Sequence, residues 1–201
     1  MIKIENVETY GWEAAIRGMR NPMNSWKKSD SEYCDAEFVV GDNDLLLMMK
    51  LSEAGNDHGK FLRMINVTMD ITAPLYWWKE FDTYKVGTVA NSCSTMHKIQ
   101  EKEFSIDMFS HEHLEEYSKV VLLNVIELLN IYRKEYLKSK SKMYWWQMIQ
   151  MLPSSYNQKR TVQLNYAVLK NMYHSRKNHK LDEWINLCNC IENLPYSELI
   201  V

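Results

Sequence analysis

Apolar residues recur at helical spacing along much of the chain. The longest such segment is Glu112–Lys138, where Leu, Val and Tyr side chains return every three or four residues and predict one long helix. The pattern predicts six shorter helices elsewhere. These are Trp12–Met19, Leu45–Gly55, Leu75–Phe81, Met143–Met151, Thr161–His174 and Leu181–Leu194.

Residues with special backbone preferences mark the predicted helix ends. Asp42 or Asp44 is placed to cap the second helix, and Gly55 to end it. Ala73-Pro74 opens the third helix, since the missing N–H of proline costs least in a first turn. Pro153 follows the end of the Met143–Met151 helix. With only 6 Gly and 4 Pro, the chain has little composition that favours long loops.

Two segments alternate between apolar and polar residues, as strands do. They are Met1–Thr9 and Phe61–Ile71. Asn21–Asp35 and Val86–Thr95 are rich in polar or small residues and are predicted to be loops. We therefore expect a single α+β domain over residues 1–201, helix-rich with a small antiparallel or mixed sheet.

Charge and composition narrow the possible environments and partners. The 24 basic and 26 acidic side chains give a net charge of −2, which offers no argument for nucleic-acid or membrane binding. No apolar run reaches the length of a membrane span, and the first residues have no signal-peptide core. These features predict a cytoplasmic protein with four reduced cysteines.

The sequence does not predict a metal site. Cys188 and Cys190 have one residue between them, unlike a zinc-binding pair, and are expected on a helix. His111 and His113 would face apart on a helix and are interpreted as a polar helix start. Cys93 has no recognisable His partner, so a small buried thiol is expected rather than a nucleophile.

The segment TAPLYWWKEFDTYKVGTVANSCSTMHK (72–98) is the strongest candidate for chemistry. A bulky aromatic helix there precedes a loop of hydroxyl, amide and thiol side chains. Such a loop offers hydrogen-bonding groups to a phosphate or a heterocycle, and Gly87 permits close backbone approach. The Trp77-Trp78 and Trp145-Trp146 pairs are expected to pack in the core or between subunits.

Two blocks of the chain resemble the flavin-dependent thymidylate synthases. In the first block, His58 precedes a strand ending in TMDITAP, an aromatic helix and a Ser-rich loop. The Arg-His-Arg motif of that family falls on Thr83-Tyr84-Lys85, and its motif Ser on Ser94, or on Cys93 without an inserted residue. In the second block, LPSSYNQKRTVQLNYAVLKNMYHSRKNHKLDEWI, the family spacing is kept at four positions. These positions are Asn165, Leu169, Asn171 and Arg176, with Lys159 or Arg160 as the upstream basic residue.

This chain departs from the family pattern at several positions. Thr83 and Tyr84 replace an Arg and a His, and Met64 replaces a His that contacts flavin in the family. Glu80 stands where the family has Gln, and Met96 stands where an Arg helps to hold the nucleotide phosphate. A phosphate is held mainly by charge-assisted hydrogen bonds, so these changes bear most on the substrate.

The resemblance implies a function and a set of cofactors. In the family, reduced FAD delivers a hydride, methylenetetrahydrofolate supplies one carbon, and dUMP accepts it. NADPH is the reductant, and the enzymes are tetramers with sites built between subunits. The partners implied here are thus a pyrimidine nucleotide, a folate and further copies of the same chain.

The resemblance also assigns roles to individual residues. Ser94 and Lys85 are the implied catalytic residues. The implied cofactor-binding residues are His58, Thr83, Tyr84, Lys85, Asn165 and Asn171. The implied substrate-binding residues are Glu80, Ser92, Ser94, Lys159, Arg160 and Arg176.

Simpler interpretations stand beside these assignments. Arg176 belongs to a basic run of a kind that is common on solvated surfaces. Lys85 could be a solvated loop lysine. Ser92 and Ser94 could simply cap the next segment, and His58 could stabilise a turn. Asn165 and Asn171 could be ordinary exposed helix residues. Three functions stay open: an active synthase, a flavin- or nucleotide-binding relative without methylation, and a non-catalytic interaction protein.

Overall fold

The computed structural model describes residues 2–201, which form seven α-helices and six strands. The helices are α1 (Trp12–Arg20), α2 (Asp42–Glu53), α3 (Leu75–Phe81), α4 (Glu116–Ser139), α5 (Lys142–Met151), α6 (Tyr166–Arg176) and α7 (Asp182–Glu192). The strands are β1 (Lys3–Tyr10), β2 (Glu32–Cys34), β3 (Glu37–Val39), β4 (Asn66–Pro74), β5 (Val89–Ser92) and β6 (Asn157–Asn165). Short 3₁₀ turns span Asn21–Met23, Trp26–Lys28, Gly59–Arg63, Ile106–Met108 and Ser197–Leu199.

The strands form two small sheets. One has the order β1-β4-β6-β5, and β2 and β3 form a separate antiparallel pair in which Tyr33 lies opposite Phe38. This confirms the predicted helix-rich α+β class.

The chain divides into two compact units. The first comprises Ile71–Thr83 and Asn91–Arg160 with the described residues before Ile4. The second comprises Ile4–Asp70, Tyr84–Ala90 and Thr161–Val201. The single domain predicted over residues 1–201 stays a prediction.

The first unit has a core of apolar side chains built around α3, α4 and α5. Helix α3 buries Trp77, Trp78 and Phe81, as its aromatic sequence predicted. A second cluster consists of Ile99, Phe104, Phe109, Leu122, Ile126, Leu129 and Met148. The longest helix was predicted correctly, although it begins at Glu116 because the residues before it form a turn.

The second unit has a core of aromatic side chains. The Trp12 ring meets the edges of Tyr166 and Tyr196 at centroid distances of 5.1 and 5.0 Å. Trp184 and Leu187 of α7 are fully buried. Cys188 and Cys190 lie on α7 as expected, and burial raises the pKa of the Cys188 thiol to about 11, so this thiol stays protonated.

Several predicted elements are wrong in their boundaries or type. Thr161–His174 is not one helix, because strand β6 continues to Asn165 before α6 begins. Phe61–Arg63 belongs to a 3₁₀ turn rather than to a strand, and the loop predicted over Val86–Thr95 contains β5. Ala73 and Pro74 end β4 rather than opening α3, which spans the predicted Leu75–Phe81.

The helix α2 is also capped differently from the prediction. Gly41 is its N-cap, and neither Asp42 nor Asp44 serves as one. Asp44 is instead fully buried, and its carboxylate accepts a 2.6 Å hydrogen bond from Nε of the buried Arg20. The hydroxyls of Ser29 and Ser31 donate to the same carboxylate at 2.6 Å. This ion pair joins α1, α2 and the loop between Met23 and Glu32.

We expect the Asp44→Asn substitution to destabilise the protein by about 3–5 kcal/mol, because it leaves a buried guanidinium without a counter-charge. The matched control is Asp42→Asn, which removes an exposed carboxylate two residues earlier in the same helix. Urea unfolding measures both variants. Equal unfolding midpoints would contradict a structural role for the ion pair.

The pair also makes stability depend on pH. Burial alone raises the pKa of Asp44, but hydrogen bonds from Ser29, Ser31 and Arg20 and the charge of Arg20 outweigh it and lower this pKa. A carboxyl with a lowered pKa stabilises the fold above its unfolded-state pKa. That contribution is lost as pH falls from about 4 through the folded-state pKa. The unfolding free energies of wild-type protein and of Asp44→Asn, measured as the pH is lowered, should therefore converge at low pH.

Candidate functional site

The predicted site residues are divided between the two units. The first unit holds Glu80, Thr83, Ser92, Ser94, Lys159 and Arg160, and the second holds His58, Tyr84, Lys85, Asn165, Asn171 and Arg176.

Arg160 is the most constrained residue of the first set. Its Nη1 lies 2.7 Å from Oδ1 of Asp82, and its Nε donates to Oε1 of Gln158 at 3.0 Å. The guanidinium also lies over the Trp78 ring, 4.2 Å from the centroid. The predicted phosphate-binding cation is thus held in one orientation, and part of its charge is balanced by Asp82.

The polar loop after α3 is fixed beside β6. The N–H of Cys93 donates to the carbonyl oxygen of Lys159 at 2.9 Å, and Nε2 of Gln158 donates to the carbonyl of Cys93 at 2.7 Å. Cys93 is exposed, so the expectation of a buried thiol is wrong. These bonds bring the Ser92–Ser94 segment next to Lys159 in the first unit.

Two hydroxyl groups of this set, those of Ser94 and Thr83, already make local hydrogen bonds. Ser94 Oγ accepts from the N–H groups of Met96 and His97, which is the capping role given as the simpler interpretation. Thr83 Oγ1 donates to the carbonyl of Glu80 at 2.7 Å and closes the end of α3. Ser92 is exposed on β5.

Arg176 is the centre of the second set. Its Nε donates to the Tyr84 hydroxyl at 3.0 Å, and its guanidinium lies 4.7 Å from the centroid of the Trp184 ring. The Tyr84 ring meets Trp184 edge-on at 5.9 Å. Arg176 is therefore half-buried and packed rather than a residue of a solvated surface, and it ties the Tyr84–Ala90 segment to α6 and α7.

Gly87 lies against the start of α6. Its φ of +77° is one that side-chain-bearing residues rarely adopt, and a Cβ there would stand 3.0 Å from Nδ2 of Asn165 and 3.2 Å from Cγ2 of Val168. Asn165 is itself buried and caps α6, since its side chain accepts from the N–H of Val168. The interpretation of Asn165 as an exposed helix residue is wrong.

The remaining residues of the second set are accessible. Lys85, Asn171 and His58 are exposed, and Lys85 has no ion pair among residues 2–201. Lys85 follows Tyr84 in the chain, and Lys85 and Arg176 are the two cationic side chains of this set. Tyr84 is itself half-buried, and its hydroxyl accepts from Arg176 and keeps its own proton to donate. The donor set suits an anion such as a phosphate.

Sequence reasoning missed the partners that hold these side chains. Asp82, Gln158 and Trp184 were not predicted to belong to the site. Asp82 directly follows the aromatic helix, so its charge was visible, but its pairing with a residue 78 positions away was not. In the part of the chain that the structure describes, no group of three His, Cys, Asp or Glu side chains is arranged to hold a metal ion.

We expect Arg176→Lys to lower stability by about 1–2 kcal/mol, because Lys keeps the charge but loses the planar contact with Trp184 and the Nε bond to Tyr84. Thermal unfolding is the measurement, and Lys180→Ala in the same basic run is the control. A double-mutant cycle with Tyr84→Phe should show coupling between the two side chains. Additive effects would contradict the contact.

We expect Gly87→Ala to cost about 1–2 kcal/mol for its positive φ and more for crowding against Asn165 and Val168. Gly55→Ala is a matched control, since Gly55 has a φ of +100° with nothing within 4 Å of its Cβ position. The difference between the two unfolding free energies measures the crowding. No difference would mean that the close approach to α6 is absent.

The fold is similar to that of known enzymes. The flavin-dependent thymidylate synthase ThyX from Helicobacter pylori, complexed with FAD and dUMP, superimposes with a TM-score of 0.70 at 18% identity, covering 98% of each chain. A second structure of the Helicobacter pylori ThyX with FAD and dUMP gives 0.70 at 17% identity, covering 99% of this chain and 96% of the other.

A third structure extends the likeness to a different methylase. The UMP/dUMP methylase PolB from Streptomyces cacaoi, bound with 5-Br dUMP, gives a TM-score of 0.62 at 13% identity, over 98% of this chain and 93% of the other. No protein-family model and no curated protein matches the chain. At these identities the finding concerns architecture, and the chain has the fold of the flavin-dependent thymidylate synthases.

Proposed function

We propose that the protein binds FAD and a pyrimidine nucleotide and reductively methylates dUMP or a related pyrimidine nucleotide. Methylenetetrahydrofolate would donate the carbon and NADPH would be the reductant. The observation that carries the proposal is the fold, which follows structures bound to FAD and dUMP over nearly their whole length. The PolB likeness supports a uridine nucleotide as the wider substrate class.

The donor set of the second unit fits the phosphate groups of FAD. Lys85 and Arg176 supply positive charge, and the Tyr84 hydroxyl has a proton to donate. Asn171 offers an exposed amide on α6, His58 an exposed imidazole, and Asn165 a buried amide close to Gly87. Thr83 belongs to the first unit, and its hydroxyl already donates to the carbonyl of Glu80. The flavin would supply the hydride chemistry, and the protein orientation and charge.

The first unit offers groups for the nucleotide. Lys159 and the oriented guanidinium of Arg160 are the cations for its phosphate, and Glu80 and Ser92 are further polar contacts in the proposal. Ser94 accepts two backbone bonds, so its hydroxyl proton is free to donate to a pyrimidine carbonyl. The proposed catalytic residues are Ser94 of the first unit and Lys85 of the second unit, whose charge would stabilise negative charge that develops during the reaction.

A relative that binds these ligands without methylating them is the second candidate. Asp82 balances part of the charge on Arg160, and Met96 and Thr83 carry no charge. Each lost hydrogen bond to a charged group weakens phosphate binding by about 1.5–3 kcal/mol. These observations favour weaker binding of a dianionic substrate.

We also propose that the protein forms an oligomer, which we expect to be a tetramer. Helix α4 exposes Tyr117, Val120, Val121, Leu123 and Ile131, which is more apolar surface than a solvated helix needs. Further copies of the same chain would cover this face.

We also propose that the protein is located in the cytoplasm. Among residues 2–201, no helix combines the length and apolarity needed to cross a membrane.

The first test is a visible absorption spectrum of the protein after incubation with FAD and removal of the excess. We expect a retained flavin band, and we expect added dUMP to perturb it because nucleotide binding would alter the surroundings of the flavin. Lys85→Ala should retain less flavin than the wild-type protein, while Lys50→Ala, an exposed control in α2, should retain as much. A protein without a flavin band and without a response to dUMP would refute the proposal.

A further inference from the structure

A cavity of about 260 Å³ lies within the first unit, at the junction of α4 and α5. Its lining consists of Met96, His97, Tyr136, Lys140, Lys142 and Trp145. None of these residues was predicted to bind a ligand. Two lysines, one imidazole and two aromatic rings face this space, and no carboxylate lines it.

Two lysines place positive charge beside the start of α5. Lys142 is the first residue of α5, and the first turn of that helix has no acidic residue. The positive end of the helix dipole and the ammonium group therefore reinforce each other, which is unfavourable unless an anion is present. Within residues 2–201, neither Lys140 nor Lys142 forms an ion pair. The nearby Glu135 and Glu101 pair with Lys138 and Lys98 instead.

The rings of Tyr136 and Trp145 form part of the cavity wall, and a hydrogen bond holds Trp145 in position. The indole N–H of Trp145 donates to the carbonyl of Met96 at 3.0 Å, which holds the Met96-His97 segment on α5. The Lys140 ammonium lies 5.7 Å from the Tyr136 ring centroid, and Lys142 lies 5.7 Å from that of Trp146. Cations beside flat apolar surfaces are what a charged heteroaromatic ligand requires.

The size of the cavity selects among such ligands. Sites for drug-sized ligands and cofactors occupy about 300–1,000 Å³, so this cavity is small for a dinucleotide such as FAD. It has space for one aromatic ring and one phosphate. A bare anion would use the lysines but leave the Tyr136 and Trp145 surfaces uncovered.

We propose that the α4–α5 cavity binds a mononucleotide, with its single-ring base against Tyr136 and Trp145 and its phosphate on Lys140 and Lys142. His97 is the third group that reaches the phosphate. The site uses none of the residues proposed above for FAD or substrate, so it stands whether or not the protein is a methylase.

Calorimetric titration with UMP tests this site. The variant Lys140→Asn/Lys142→Gln removes both charges, and Asn suits the left-handed backbone of Lys140, whose φ is 55°. Measured in a Lys159→Ala background, which weakens the proposed substrate site, UMP affinity should fall at least tenfold in this variant. Without the variant, the affinity should fall with added salt. The control Lys134→Gln/Lys138→Gln makes the same charge change on exposed α4 residues and should leave affinity within about twofold.

Further ligands separate the parts of the proposal. Uridine and inorganic phosphate should each bind much more weakly than UMP, because each supplies half of the contacts. Equal affinity of the double variant and its control would overturn the proposal, and so would phosphate binding as tight as that of UMP. Lys159→Ala should leave binding at this cavity intact, whereas loss of all UMP binding in Lys159→Ala would assign the nucleotide to the other site. A failure to retain FAD leaves this result unchanged, so the two proposals fail separately.

Discussion

The burial of Trp78 against β6 is the interaction on which the arrangement of the first unit depends. Its indole N–H donates to the Gln158 carbonyl at 3.0 Å, and the Arg160 guanidinium lies over its ring. A buried indole N–H without a hydrogen-bond partner is costly, so the bond to Gln158 favours the register in which α3 packs against β6. Through Gln158 the same register fixes Cys93 and the serines beside it.

Much of the architecture was predictable from the sequence, because most helices bury one apolar face. The aromatic helix Leu75–Phe81 has the predicted bounds, and α5 and α7 differ by only one or two residues from the prediction. Strand β6 was missed because NQKRTVQLN is mostly polar. Its buried positions, including Gln158, Val162 and Leu164, alternate, but Gln158 is buried for a hydrogen bond that only the tertiary structure provides.

The sequence predicted several residues of the candidate site, but it did not predict which side chains contact each other there. The spacing that pointed to Arg176 and Tyr84 singled out two residues that do contact each other, 92 positions apart. Their contact with Trp184, and that of Arg160 with Asp82, depends on how the segments pack. Local sequence cannot reveal whether a cation is available to a ligand or already paired, and this distinction separates an active methylase from a relative that only binds.

The measurement that tests the central claim most directly is product analysis by mass spectrometry. The protein would be incubated with FAD, NADPH, methylenetetrahydrofolate and either dUMP or UMP. The account predicts a nucleotide heavier by one methylene group, formed only when all components are present and lost in Ser94→Ala. Oxidation of NADPH without any methylated nucleotide would contradict it.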